Sequence, residues 1–107
     1  MDRAERILSA VETWAYATGG LRLFCRRTAR EIVDRCEGAG VRILGIDGMY
    51  LGPGATHSPV DLVYHPPESE RTDYDGARRY LDGTAHLPLF YELVLDDPGD
   101  GPGDADG

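Results

Sequence analysis

The chain has 107 residues, enough for one hydrophobic core and too few for two. It carries 19 Asp+Glu against 11 Lys+Arg, a formal net charge of −8, and all the latter are arginine. Lysine, asparagine and glutamine are missing, which excludes a Schiff base, a Walker-type phosphate lysine and a glycosylation sequon.

Residues 2–17 read as an amphipathic helix. Asp2 can cap its first amides, with Glu5 at capping-box spacing, and Ala4, Ile7, Leu8, Val11, Trp14 and Ala15 form one apolar face. That face places Trp14 in the core, against a sheet. Gly19-Gly20 ends the helix, and Leu21–Cys25 alternates as a short strand with Leu21, Leu23 and Cys25 on one side. Thr28 with Glu31 is a second capping box, followed by Ala29, Ile32, Val33 and Cys36 at helical spacing. Gly38 and Gly40 supply left-handed residues to close that helix. Val41–Ile46 is apolar on both faces apart from Arg42, the pattern of an interior strand. A strand–helix–strand unit of this length favours a right-handed parallel crossover.

Asp47-Gly48 is either a tight hairpin turn or a bulge within a strand that runs on through Met49, Tyr50 and Leu51. The bulge is preferred, because Gly52-Pro53-Gly54 is an equally good turn further on. Val60–His65 then returns antiparallel and stops at Pro66-Pro67. Asp73–Leu81 reads as a third helix with Tyr74, Ala77 and Leu81 inward, and Pro88–Leu95 as the last strand. The order α-β-α-β-β-α-β predicts an α+β domain over residues 1–95, three helices on a four-stranded mixed sheet. Residues 96–107, DDPGDGPGDADG, have almost nothing apolar to bury and are expected to be disordered.

The charge is uneven. Residues 1–45 carry a net +2, residues 46–95 a net −5, and the tail a further −5. An acidic half repels phosphates and attracts basic proteins, so nucleic acid is not an expected partner. Cys25 and Cys36 give no disulfide framework, and Cys36 is expected to be a buried thiol. The first 20 residues lack the apolar run of a signal peptide, and no stretch approaches membrane-spanning length, so a cytoplasmic protein is expected.

Candidate chemistry is sparse, and no catalytic residue, metal site or cofactor is expected. His57, Asp61 and His65 recur every fourth residue, but at about 13 Å apart along a strand they cannot share one ion without a bend. The glycines at 45, 48, 52 and 54 lead from strand to strand, where a phosphate cradle needs a helix N-terminus. Ser9, Ser58 and Ser69 lack the strand-to-helix elbow of an activated serine. What remains is Asp47, Tyr50, Asp61, Tyr64, Glu68, Glu70, Asp73 and Asp75, carboxylates interleaved with tyrosines. Such a set suits a surface for a basic protein, the rings giving contact area and the charges steering the encounter. The plainer reading is an ordinary acidic surface with Tyr50 and Tyr64 half-buried.

A helix ending in AGV, the strand RILGIDGMYLGPG, Ser58-Pro59-Val60-Asp61, Ala77–Leu81 and the closing PLFYELVL together resemble small bacterial proteins of the immunity type, over residues 28–95. Such proteins neutralise a cognate toxin. The sequence departs from the pattern at Tyr64-His65-Pro66, where an Asp-aromatic-Ser run is associated with the group. The resemblance implies a stoichiometric inhibitor without a catalytic centre and carries no residue-level role, because immunity surfaces vary with their toxins. Two alternatives stand beside it: a small ligand-binding domain or enzyme using the loop Gly52–Ser58, and a regulatory interaction module without a toxin.

Overall fold

A computed structural model describes residues 2–18, 21–52, 55–57, 63–65 and 73–96. The protein is α+β, and the described residues form three α-helices, a two-stranded ribbon and a four-stranded sheet.

Helix α1 (Arg3–Ala10) starts as its sequence demands, with the Glu5 amide donating to Asp2 Oδ1 at 2.7 Å. It ends seven residues earlier than expected. Val11, Thr13, Trp14, Tyr16 and Thr18 are β-branched or aromatic and lose side-chain freedom in a helix, so the chain tightens into a 3₁₀ turn (Glu12–Trp14) and then extends. Trp14 consequently leaves the apolar stripe: it is 65 % exposed, contrary to its expected place in the core. Trp14→Ala should therefore shift the unfolding free energy by no more than ~0.5 kcal/mol. A urea titration showing a loss of several kcal/mol would contradict that placement.

The extended segment forms β1 (Tyr16–Thr18), paired antiparallel with β2 (Leu21–Leu23). Helix α2 (Arg26–Ala39) begins two residues before the Thr28 cap expected from sequence. Cys25 is the N-cap, its carbonyl accepting from the Ala29 amide at 2.8 Å, and Thr28 lies buried in the first turn. Of the two glycines expected to close α2, Gly38 remains helical and Gly40 alone is left-handed, at φ +75°. Val41 then leads into β3 (Arg42–Gly52).

Strand β3 runs straight through Asp47-Gly48, as the strand reading required, but its register shift falls earlier, at Leu44. On one side β3 pairs with β6 (Leu89–Asp96), and on the other with β4 (Ala55–His57) and β5 (Val63–Tyr64). Each of these pairings is antiparallel, so the expected mixed sheet is corrected to an antiparallel one among the described strands. The expected crossover survives only in direction. Phe24 bonds Tyr91 of β6 antiparallel, in both directions at 2.8 Å, which places β6 between β2 and β3.

Helix α3 (Tyr74–Gly83) completes the helical layer. All three helices cover one sheet face, where Ile7, Ile32, Val33, Leu81, Ile46 and Tyr91 join the buried core. Cys36 lies there as expected, and burial pushes its thiol up to about 12. The expected disorder of the tail falls almost wholly outside the described residues.

Candidate functional site

Strand alternation divides the sheet into an inner, helix-covered face and an outer one. Ile46, Tyr50, Leu89, Tyr91 and Leu93 face the helices, so Met49 opposite Phe90 and Asp47 opposite Glu92 face outward. Leu23 and Met49 are buried without belonging to the inner core, and Tyr16, opposite Leu23 in the ribbon, sets its ring edge-on to Phe90 at 5.0 Å. The outer face thus has an aromatic end, two carboxylates at its centre and, beyond them, Val94 and Leu44, each more than 40 % exposed.

The centre is electrostatically unfavourable. Directly opposed residues of an antiparallel pair hold their Cβ atoms about 4.5–5.5 Å apart, and like charges there destabilise the sheet. Glu92 is pushed above its ordinary value by burial and then by Asp47, and neither carboxylate has an ion pair among the described residues. On the other side of Asp47 stands Val63, so apolar surface flanks the charges.

A raised carboxylate makes a signed prediction. The native state holds the Glu92 proton more tightly than the unfolded chain does. The associated stability is complete below the ordinary glutamate value of 4.5 and is lost as pH rises through the higher native value. Glu92→Gln should remove this fall from the stability–pH profile. An unchanged profile in urea titrations across that window would show that Glu92 is not strained. Glu5 works in the opposite sense, since its bond from Arg22 lowers its pKa, and it is untouched by the substitution.

Of the eight residues singled out from sequence, five are described, and these do not gather on this face. Asp47 lies at its centre. Tyr50 and Tyr64 are half-buried and pack against the core on the helix side, the arrangement of the plainer reading. The Tyr64 hydroxyl donates to the Asp73 carboxylate at 3.1 Å, and burial and then Asp73 push this phenol up to about 12. Asp73 is the N-cap of α3, accepting the Gly76 amide at 2.9 Å, and a methyl group on Gly76 would overlap that carboxylate. Asp75 is held by Arg78, which also bonds Asp34 at 2.9 Å and Glu37, clamping α3 to α2. Asp61, Glu68 and Glu70 lie outside the described residues; of the expected loop Gly52–Ser58, Ala55–His57 is instead strand β4, and residues 53, 54 and 58 lie outside the described ones.

The backbones of His57 and His65 lie beside distant points of β3. His57 is opposite Tyr50, whereas His65 lies beside Gly45, five residues along β3 and so roughly 17 Å away. No three potential metal ligands cluster among the described residues. No helix among them is long and apolar enough to cross a membrane.

Sequence reasoning missed Tyr16, Phe90 and above all Glu92. A signal was present: RILGIDGMYL and PLFYELVL are apolar strands each interrupted by one carboxylate, and antiparallel pairing makes the interruptions neighbours. The chain matches no family model, no curated protein and no solved structure.

Proposed function

We propose that this protein is a stoichiometric, protein-binding inhibitor of the immunity type, acting in the cytoplasm on a basic partner that docks on the outer sheet face. The observation that carries the reading is the opposed Asp47–Glu92 couple, which has no ion pair among the described residues. Opposed carboxylates with apolar neighbours cost stability, and a sequence retains such a local conflict where a function uses it. An arginine or lysine from a partner between them would neutralise the repulsion. Phe90, Val94 and Leu44 offer the apolar surround that excludes water from a central charged contact.

The resemblance over residues 28–95 supplies the class of partner, a toxin domain, and the net charge of −8 supplies long-range attraction to it. The test is whether the neighbouring gene encodes a toxin domain, followed by co-expression of that domain with this chain. The reading expects survival of the host and a 1:1 complex on gel filtration. Undiminished toxicity, with no complex, would sink it.

A further inference from the structure

Between the 3₁₀ turn and the start of α2 lies an open cavity of about 630 Å³, lined by Trp14, Cys25, Arg26, Arg27, Thr28 and Glu31. Trp14 is the single tryptophan of the chain, and its ring is left 65 % exposed in the cavity wall. Tyr16, two residues on, is 58 % exposed. Large aromatic surface left in water is costly, and Trp, Tyr and Arg are the residues that dominate binding hot spots.

Of the three charged residues in the lining, two are arginines and one of these is uncommitted among the described residues. Arg27 is exposed and has no ion pair among the described residues. Arg26 reaches Asp82 only at 3.5 Å, and that carboxylate is already held by Arg30 at 2.8 Å. The one acid in the lining, Glu31, is paired with Arg35 at 2.7 Å. A positive corner with an aromatic anchor therefore sits on a protein of net charge −8.

We propose that this cleft is a second docking site, which takes an acidic segment of a partner protein. An apolar side chain of the segment stacks on Trp14, and neighbouring carboxylates pair with Arg27 and Arg26. Charge complementarity selects the occupant: two adjacent arginines beside an exposed tryptophan match a short run of Asp or Glu, and do not make a track for a nucleic-acid backbone. The site is separate from Asp47 and Glu92 and does not depend on the reading given to them.

Because Trp14 is the sole tryptophan, its emission reports the cleft directly. The full chain is titrated with an octapeptide of glutamate and leucine, and in parallel with a serine–leucine octapeptide and a single-stranded oligonucleotide. The proposal expects a saturable change with the acidic peptide alone. Affinity should fall at least about tenfold from low to high salt, and again in the double variant Arg26→Ala/Arg27→Ala. Four results of the titrations would overturn it. These are no saturable change, an equal response to the serine–leucine peptide, tighter binding of the oligonucleotide, or full affinity in the double variant. Salt-dependent emission without any peptide would show the cleft already filled by acidic residues of this chain, and would overturn it too.

Discussion

Removing the two outward carboxylates, as Asp47→Asn with Glu92→Gln, should move stability and binding in opposite directions. Binding to the basic partner should weaken by about 2–4 kcal/mol, or roughly 30- to 1,000-fold, because the partner's cation would be left desolvated without its counter-charge. The same change relieves a like-charge cross-strand pair, whose cost is ~0.2–1 kcal/mol, so the variant should unfold at an equal or higher urea concentration. A purely structural role would move only the second quantity. Calorimetric titration against the partner, beside urea unfolding of the free protein, separates the two. A variant that is stabilised yet binds as tightly as the parent would reduce the pair to an accident of the sheet.

The second large effect lies in the core. Tyr91 is 1 % exposed and bridges three elements. Its backbone bonds Phe24, its ring stands edge-on to Tyr80 at 5.9 Å, and its hydroxyl shares a 2.6 Å hydrogen bond with Thr84 just beyond α3. Tyr91→Ala removes the ring from a site that cannot collapse around the gap and should cost ~3–5 kcal/mol. Against a total of about 5–15 kcal/mol, that leaves the domain marginal or unfolded. Tyr91→Phe keeps the ring, loses the hydroxyl bond, and should cost only about 1 kcal/mol. Equal losses for the two variants, read from urea midpoints, would mean that the hydroxyl and not the packing holds this junction.

The parts of the fold legible in sequence were those fixed by local signals. Asp2 and Asp73 cap helices because a carboxylate before a helical run satisfies exposed amides, and Gly40 ends α2 because only glycine takes its positive φ without strain. Residues 11–18 misled because Trp14 falls on a helical stripe by spacing alone. The stripe carries no information about competition between a helix and the β1–β2 ribbon, and the β-branched and aromatic residues tip that competition. The sheet was misread for a related reason. A strand–helix–strand pattern fixes the direction of β2 and β3 but not which strand lies between them, and β6 arrives from the end of the chain.

The outer face was only half visible. Asp47 was recognisable as a carboxylate in an apolar strand, but its neighbour Glu92 lies 45 positions away and meets it only through the register of β3 with β6. Tyr64 is near Asp47 in sequence, yet its register opposite Ile46 turns it to the helix-covered face, where it bonds Asp73 at the start of α3. Proximity in sequence stood in for proximity in space, and the helical layer broke that equivalence.

The central claim is that a partner covers the outer face of the sheet, and cross-saturation NMR in the complex reads this most directly. Irradiating an unlabelled partner should attenuate the methyl signals of Leu44 and Val94, which stand exposed beyond the carboxylate pair. The methyls of Ala10 and Ala85, exposed away from that face, should keep their intensity. Attenuation at Ala10 and Ala85, with Leu44 and Val94 untouched, would place the partner elsewhere and contradict the account.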